Sequence, residues 1–210
     1  MVQKKYREIK TGLFFGSFNP IHYGHLLIAS YMLNFTDLDE IWFVVSPQNP
    51  LKKKNTLLAN HLRLDMVELA IENQEKMKTS DIEFHLPIPS YTVNTLVYLK
   101  ERSRGRKFVL IMGTDNLNTI EKWKNYNVIL DEYSIYVYPR PKIDPGPYAQ
   151  HHSVKMTDAP VVEISSSFIR NALGEGKDLT FFLPDKVYQY IKKYQLYYNP
   201  PLTEIISPDI

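Results

Sequence analysis

The chain has 210 residues, of which 44% are hydrophobic and 23% charged, and it carries 25 Lys and Arg against 23 Asp and Glu. This composition is typical of globular proteins, and the length, at roughly 100–200 residues per domain, predicts one compact domain and excludes a disordered or fibrous chain. A formal charge of +2 is too balanced for a protein that coats nucleic acid or an anionic membrane, and the lack of cysteine excludes disulfides, Fe–S clusters and thiol catalysis.

No apolar run approaches the roughly 20 residues of a membrane-spanning helix, and the opening MVQKKYREIK does not continue into the apolar run of a signal peptide. We therefore expect a cytoplasmic protein that binds neither nucleic acid nor a membrane. Residues 1–198 are expected to form the domain, and residues 199–210, which lack periodicity, a mobile C-terminal tail. Nothing in the sequence indicates the oligomeric state.

Short runs of β-branched and aromatic residues alternate with longer stretches of helical periodicity. Strands are expected at Ile9–Phe15, Ile41–Val45, Phe108–Met112, Ser134–Tyr138 and Val161–Ile164. Helices are expected at Tyr23–Asn34, Ala59–Asn73, Thr92–Arg102, Ser165–Leu173 and Pro184–Tyr194. Continuously apolar strands suit a sheet that is covered on both faces, so the pattern predicts an α/β fold with a doubly wound parallel sheet.

Open α/β sheets bind ligands beyond the carboxyl ends of their strands, so the residues after each strand are candidates for a site. After the first strand, in GSFNPIHYGH, Gly16 permits close approach of the backbone to a ligand. His22 and His25 lie three residues apart at a helix start, where free N–H groups and the helix dipole favour an anion. This spacing predicts a phosphate site. A core histidine beside a solvated one is the alternative, and a zinc site would be incomplete without an acidic ligand.

Two further junctions carry charged residues. The loop Ser46–Asn55 combines two prolines with three lysines, whose point charges suit a polyphosphate, although a run of lysines is usually just a solvated face. In Gly113–Asp115, directly after a strongly apolar strand, the carboxylate suits the hydroxyls of a ribose or the cap of the following helix.

A late junction and two isolated features complete the candidates. ISSSFIR (Ile164–Arg170) places three hydroxyls at a helix start and an arginine one turn later, which suits phosphate oxygens or a plain serine cap beside a surface arginine. The tripeptide Ser90-Tyr91-Thr92 begins a helix and can donate backbone N–H groups to a carboxylate. Trp123, flanked by two lysines, can stack on a flat heteroaromatic ring or serve only in packing.

Taken together, these motifs resemble the HxGH nucleotidyltransferase superfamily, with His22-Tyr23-Gly24-His25 as its signature. Their order is similar to that of bacterial nicotinate mononucleotide adenylyltransferases, from about Gly12 to about Tyr197. The segments that indicate this branch are PSYTxxTL (Pro89–Leu96), GTD followed by Trp123, and YPRP (Tyr138–Pro141). The chain departs from the family pattern at Phe15 (usually Gly), Asn19 (usually Asp), Pro50-Leu51-Lys52-Lys53 (often Pro-Pro-His-Lys) and Pro87-Ile88-Pro89 (often basic).

The resemblance implies an enzyme of NAD biosynthesis with a Rossmann-like nucleotidyltransferase fold, in which the 5′-phosphate of a pyridine mononucleotide attacks the α-phosphorus of ATP. The catalytic residues it implies are His22, His25 and Arg170. The ATP-binding residues it implies are Gly16, Ser17, Phe18, Lys53, Gly113, Asp115, Ile164, Ser165 and Ser166. The pyridine-nucleotide residues it implies are Ser90, Tyr91, Thr92 and Trp123.

Mg²⁺ is expected to arrive on the ATP phosphates, with no metal site made by the protein. The choice between nicotinate and nicotinamide remains open at this point. Another HxGH nucleotidyltransferase, such as a phosphopantetheine adenylyltransferase or a cytidylyltransferase, and a non-catalytic nucleotide sensor are the alternatives.

Overall fold

A computed structural model describes residues 7–47 and 57–198 and contains a six-stranded sheet in which every neighbouring pair is parallel. The strands are β1 (Ile9–Gly16), β2 (Glu40–Val45), β3 (Met77–Ser80), β4 (Arg106–Gly113), β5 (Ser134–Tyr138) and β6 (Val154–Met156). Their order across the sheet is β3-β2-β1-β4-β5-β6. The chain thus builds outwards from β1 in one direction and then from β4 in the other, which confirms the doubly wound α/β prediction.

Helices connect the strands and cover both faces of the sheet. They are α1 (Tyr23–Phe35), α2 (Asn60–Ile71), α3 (Thr92–Arg102), α4 (Thr114–Leu117), α5 (Tyr126–Glu132), α6 (Ser166–Gly174) and α7 (Asp185–Lys193). Short 3₁₀ turns lie at Ile82–His85, Ile120–Lys122 and Pro147–Gln150. Among the described residues, no helix is long and apolar enough to cross a membrane.

Two hydrophobic clusters, one on each face, follow from the alternation of side chains along the strands. Phe14 and Ile111 belong to the cluster covered by α1, α2, α6 and α7. Leu13 and Leu110, their neighbours in sequence, belong to the cluster covered by α3, α4 and α5. Because both faces are buried, the central strands are apolar without interruption, which is why their pattern could be recognised from the sequence.

The expected strand at Val161–Ile164 is wrong. The edge of the sheet beside β5 is taken by Val154–Met156, whose residues pair with β5 from Ile135 to Val137. The apolar run that follows is an irregular segment leading to α6, and Val161 is 53% exposed. Its β-branched residues have the composition of a strand, but the segment pairs with none of the six strands.

The edge strands β3 and β6 were not predicted because they are short and partly exposed, with the sequences MKTS and VKM. At the last helix, Pro184 is the residue that precedes α7 and not part of its first turn. The predicted tail, residues 199–210, lies outside the described residues, so its mobility and the domain boundary at residue 198 remain predictions.

Gly12 lies where β1, β4 and the α1–β2 connection pack most tightly. A Cβ atom there would lie 2.7 Å from Cδ1 of Ile111 and 2.8 Å from Cδ1 of Leu38. We expect Gly12→Ala to lower the free energy of unfolding by about 1–3 kcal/mol, since overpacking forces buried side chains from their rotamers. Urea unfolding measures this. Gly174→Ala is the control, because its Cβ would make only an ordinary 3.6 Å contact with the Tyr197 carbonyl; equal losses for both variants would contradict the packing argument.

Candidate active site

The strand order reverses between β1 and β4, and open α/β sheets bind ligands in the crevice at the carboxyl ends of two such strands. His22 is the N-cap residue of α1, and an irregular segment leads to it from the end of β1 at Gly16. Gly113 is the N-cap residue of α4 at the end of β4. Two of the junctions singled out in the sequence therefore open into the same crevice, the place where α/β sheets bind ligands.

The two histidines stack on each other. Their ring centroids lie 3.8 Å apart at an interplanar angle of 27°, and the backbone N–H of His22 donates to Nδ1 of His25 at 3.3 Å. This hydrogen bond requires an unprotonated Nδ1 and so puts the proton of a neutral His25 ring on Nε2. The rings of Phe14 and Phe18 stand edge-on to His25, with centroid distances of 6.1 and 5.1 Å, and hold its orientation.

His22 is neutral at physiological pH. Its side chain is 3% exposed, and this burial, with a smaller contribution from the Arg140 charge, lowers its pKa from 6.5 to about 4. The ring can therefore donate or accept a hydrogen bond, but it does not add a positive charge to the crevice.

Gly24, between the histidines, lacks a side chain for a steric reason. A Cβ atom at this position would lie 2.9 Å from Nδ1 of His22 and 3.5 Å from Cβ of Ile164. A larger residue would displace the His22 ring or open the contact between α1 and the segment before α6. The glycine of the HxGH signature thus preserves the position of its first histidine.

Buried polar atoms gather at this junction without partners. Four such side-chain atoms lack a hydrogen bond within the described part of the chain, and three of them belong to His22 (Nδ1), Asp115 (Oδ1) and Arg140 (Nε). Arg140 Nε lies 3.6 Å from Asp115 Oδ1, beyond hydrogen-bond distance. Buried polar atoms are nearly always hydrogen-bonded, so these three atoms, which follow the carboxyl ends of β1, β4 and β5, indicate groups that a polar ligand can satisfy.

Arg140 is a candidate that the residue-by-residue sequence analysis left out, although it lies within the YPRP segment. Its backbone N–H donates to Oγ1 of Thr114 at 2.9 Å, which ties the end of β5 to the end of β4. A Cβ atom at Gly113 would contact the side chains of Asp115, Tyr138 and Arg140, so this corner has room only for glycine. The sequence feature that could have identified Arg140 is its position just after a predicted strand.

Arg170 lies against the turn that precedes the histidines. Its Nη1 donates to the carbonyl of Asn19 at 2.8 Å, and its Nη2 donates to Oγ of Ser167 at 3.2 Å. Ser166 Oγ donates to the carbonyl of Pro20 at 2.9 Å. The start of α6 is therefore bound to the segment that leads into His22, and the distant ISSSFIR and HxGH motifs meet.

The serine and isoleucine at the start of α6 have structural partners. The Ser165 hydroxyl accepts from the backbone N–H of Phe168 at 3.2 Å and so caps the helix, which was one of the two interpretations of this motif. Ile164 is half-buried beside Gly24. Backbone groups of both residues remain candidates for ligand contact.

The turn Gly16-Ser17-Phe18 presents backbone at the end of β1. Phe18 has a positive φ of 44°, and its ring is buried in the core, 2.8 Å from where a Cβ atom of Gly16 would lie. Phe18 therefore has only its backbone left to contact a ligand. The carbonyl of Ser17 accepts a hydrogen bond of 2.6 Å from Nη1 of Arg63.

Arg63 was missed by the sequence analysis. Its side chain is 0% exposed, and its guanidinium donates to the carbonyls of Ser17, Ser46 and Leu58 and to Oδ1 of Asn60, at 2.6–3.0 Å. Burial lowers its pKa to about 10, so it stays protonated at neutral pH. One buried cation thus joins the ends of β1 and β2 to the start of α2. The available signal was a charged residue three positions before Met66, on the apolar stripe of the helix.

Lys53 and its neighbours in the lysine-rich loop lie within residues 48–56, outside the described residues, so their role remains a prediction. Arg63 holds the chain on both sides of this segment, at the Ser46 and Leu58 carbonyls.

The residues predicted for the pyridine nucleotide form a second group on the α3 and α5 face. Tyr91 is the N-cap residue of α3, Thr92 begins the helix, and Tyr91 and Trp123 both pack against the core cluster of that face. The Ser90 hydroxyl is committed to the carboxylate of buried Glu83, to which it donates at 3.2 Å. The backbone of this helix start and the ring of Trp123 therefore remain candidates for ligand contact, whereas the Ser90 hydroxyl does not.

The chain is similar to known proteins over most of its length. A family model described as cytidylyltransferase-like matches residues 13–172. A Flavobacterium johnsoniae protein named "Probable nicotinate-nucleotide adenylyltransferase" is 55% identical over 191 residues, covering 90% of this chain and 99% of that relative. A Bacteroides thetaiotaomicron protein of the same name is 47% identical over 187 residues, with coverages of 89% and 93%.

The fold is also similar to a solved structure. Nicotinic acid mononucleotide adenylyltransferase of Plasmodium falciparum, complexed with NaAD, superposes with a TM-score of 0.77 at 25% sequence identity. The match covers 90% of this chain and 97% of that one.

The His22 pKa predicts an acid-side loss of stability. Between pH 6.5 and about 4 the unfolded chain binds a proton at His22 that the folded protein does not, so stability rises with pH across this window and is constant above it. Acidification from pH 7 to pH 4.5 should therefore cost roughly 2–3 kcal/mol through this residue. Urea unfolding at both pH values should show that His22→Gln reduces the loss, whereas the control His61→Gln, at an exposed position, does not. An unchanged pH dependence in His22→Gln would contradict the assignment.

Proposed function

The chain belongs to the cytidylyltransferase-like family and, within it, to the nicotinate-nucleotide adenylyltransferases, and we propose that His22, His25 and Arg170 carry its reaction at the β1–β4 crevice. The enzyme joins the AMP moiety of ATP to nicotinate mononucleotide, giving the deamido-NAD dinucleotide and pyrophosphate. The cluster of three unpartnered buried polar atoms beside the stacked histidines is the observation that carries the assignment of the site.

Adenylyl transfer by direct displacement requires no covalent bond between the protein and the substrate. An oxygen of the mononucleotide 5′-phosphate forms a bond to the α-phosphorus while the bond to the pyrophosphate oxygen breaks. The attacking oxygen is already anionic near neutral pH, since the second pKa of a phosphate monoester is about 6, so no general base is required. The protein contributes alignment and stabilisation of the charge that develops on the phosphoryl oxygens.

We propose that both imidazoles act as hydrogen-bond donors towards these oxygens. His25 has its ring proton on Nε2 when neutral, because Nδ1 accepts the His22 N–H. His22 stays neutral because of its burial. Two ring N–H groups at a helix N-terminus can donate stronger hydrogen bonds as negative charge develops on the phosphoryl oxygens, and they form no strong salt bridge with the substrate in the ground state. An interaction that is stronger in the transition state than in the ground state raises kcat.

Arg170 supplies the cationic contact with the leaving pyrophosphate. Its guanidinium is half-buried and held at the Asn19 carbonyl, and the start of α6 adds backbone N–H groups from Ser166 onwards. We propose that Lys53 assists from the loop after β2, and that Ile164 and Ser165 contribute backbone contacts only.

The adenosine half is proposed to occupy the end of β4. Asp115 Oδ1 packs against Gly113 and has no hydrogen-bond partner among the described residues, so it can accept a ribose hydroxyl. Arg140 offers Nε as a donor at the same corner. We propose that the main chain of the turn Gly16-Ser17-Phe18 borders the nucleotide on the β1 side.

The pyridine ring is proposed to lie between the start of α3 and Trp123. Free backbone N–H groups at Tyr91 and Thr92 suit the nicotinate carboxylate, and the indole suits the flat ring. Glu83 accepts hydrogen bonds from Ser90 at 3.2 Å and Thr95 at 2.8 Å, and so holds this helix start in place.

Magnesium is proposed to enter on the phosphates of ATP. Arg140 lies 3.6 Å from the Asp115 carboxylate and offsets its charge, which makes this carboxylate a poor direct ligand. Within the described residues, no three His, Asp or Glu side chains are placed together to hold an ion. Phosphate oxygens and water are the coordination that Mg²⁺ prefers. Because ATP is an intracellular substrate, we propose the cytoplasm as the compartment.

His25→Ala tests the reaction directly. The variant should lower kcat for pyrophosphate release from ATP and nicotinate mononucleotide by at least about 10²-fold, the loss typical of removing one transition-state donor, with its melting temperature little changed. His61→Ala, at an exposed helix position, is the control and should retain full activity. Wild-type turnover in His25→Ala would remove this residue from the mechanism, and no pyrophosphate release from the wild type would favour a nucleotide sensor.

Trp123→Ala tests the pyridine site. Loss of ring stacking, worth about 1–3 kcal/mol per base, should raise the KM for nicotinate mononucleotide by roughly 5- to 150-fold and leave the KM for ATP nearly unchanged. The matched control is Trp42→Ala, which removes an indole that hydrogen-bonds Glu40 on β2. Equal effects of Trp123→Ala on both substrates would assign this residue to packing alone.

A further inference from the structure

The chain returns to the catalytic crevice after its last helix. Gln195, with a positive φ of 51°, follows the C-cap residue of α7, and the next N–H, of Leu196, donates to the Ile191 carbonyl at 3.0 Å. This 6→1 hydrogen bond is the Schellman arrangement that reverses the chain at a helix end. The following residue, Tyr197, also has a positive φ, 70°, an unfavourable conformation for a tyrosine. The structure holds this segment in a strained path that ends at the crevice.

Tyr197 is joined to Arg170 through one residue. Its hydroxyl donates to Oδ1 of Asn19 at 2.8 Å, and the backbone N–H of Leu58 donates to the same oxygen at 3.3 Å. The carbonyl of Asn19, which is 3% exposed, accepts the 2.8 Å hydrogen bond from Nη1 of Arg170. Asn19 is therefore held at its side chain by Tyr197 and in turn holds the guanidinium by its main chain.

The surroundings of the tyrosine hydroxyl agree with this connection. Burial raises the pKa of Tyr197, and the nearby charges of Arg170 and Arg63 oppose that rise without reversing it, so the hydroxyl remains a neutral donor. An arginine side chain has many rotamers, and fixing it before the ligand arrives reduces the entropy lost on binding. A hydroxyl that immobilises the acceptor of Arg170 can therefore affect binding of the triphosphate without touching it.

We propose that Tyr197 is a positioning residue for adenylyl transfer, which holds Asn19 so that the Asn19 carbonyl orients Arg170 towards the β- and γ-phosphates of ATP. This inference rests on the proposed role of Arg170. It makes the segment after α7 part of the ATP site, although it lies 27 residues beyond the arginine that it orients.

Tyr197→Phe removes only the hydroxyl. A hydrogen bond of this kind contributes a factor of about three to ten, so the KM for ATP should rise about three- to tenfold, while the KM for nicotinate mononucleotide stays within about twofold. Tyr190→Phe is the matched control. It removes a hydroxyl that donates to Asp65 at 2.6 Å from the same C-terminal region, but on the α2 side, and should leave both KM values unchanged.

A double-mutant cycle separates this inference from the proposed function. If Tyr197 acts through Arg170, Tyr197→Phe should have no further effect on the KM for ATP in an Arg170→Ala background. An unchanged KM for ATP in Arg170→Ala would contradict the proposed role of Arg170 itself. Suppose instead that Arg170→Ala does raise the KM for ATP. The positioning role of Tyr197 is then overturned if Tyr197→Phe leaves the KM for ATP unchanged, raises both KM values equally, or adds its full effect to that of Arg170→Ala. It is also overturned if Tyr197→Phe fails to fold, because the hydroxyl then serves the fold.

Discussion

The burial of polar atoms without partners is the constraint on which this site depends. His22, Asp115 and Arg140 lie at the ends of three different elements, and each presents a buried atom that has no hydrogen-bond partner among the described protein groups. Such atoms cost stability in the free protein, and a nucleotide with many polar oxygens can satisfy them on binding. Close packing fixes the positions of these three side chains, because a side chain at Gly24 would collide with His22 and one at Gly113 would collide with Asp115 and Arg140. The crevice is therefore shaped in advance for a polar ligand.

Charge is distributed unevenly across the crevice. Burial keeps His22 neutral, whereas Arg63, Arg140 and Arg170 carry positive charge around it. The two histidine rings lie at the helix start next to the proposed reacting phosphate, and Arg170 lies towards the proposed leaving group. The arginines attract a polyanion, while no salt bridge forms at the phosphorus whose geometry changes in the reaction. This division suits a reaction in which negative charge moves towards pyrophosphate.

The sequence analysis succeeded for features that depend on neighbouring residues in the chain. The central strands are continuous apolar runs because both of their faces are buried, and the motif GSFNPIHYGH lies within one strand–helix junction, so both could be recognised from neighbouring residues. The edge strands β3 and β6 lack that signal, and Val161–Ile164 has it although it pairs with no strand. Arg63 and Tyr197 were missed because their partners, Ser17 and Asn19, lie 46 and 178 residues away; the place of Arg63 on an apolar stripe marks it as buried but does not identify the carbonyls that it binds. Local periodicity carries no information about such distant hydrogen bonds.

The buried guanidinium of Arg63 has a consequence for how this enzyme can diversify. Because one side chain anchors the backbone both before and after residues 48–56, the two ends of that segment are fixed independently of what connects them. Closing a longer connection between anchored ends adds little entropic cost, since the cost grows only with the logarithm of length. Insertions, deletions and sequence exchange should therefore be tolerated between these anchors. Loop grafting can exploit this position, provided that the graft keeps a lysine at the place of Lys53, which is proposed to assist the reaction.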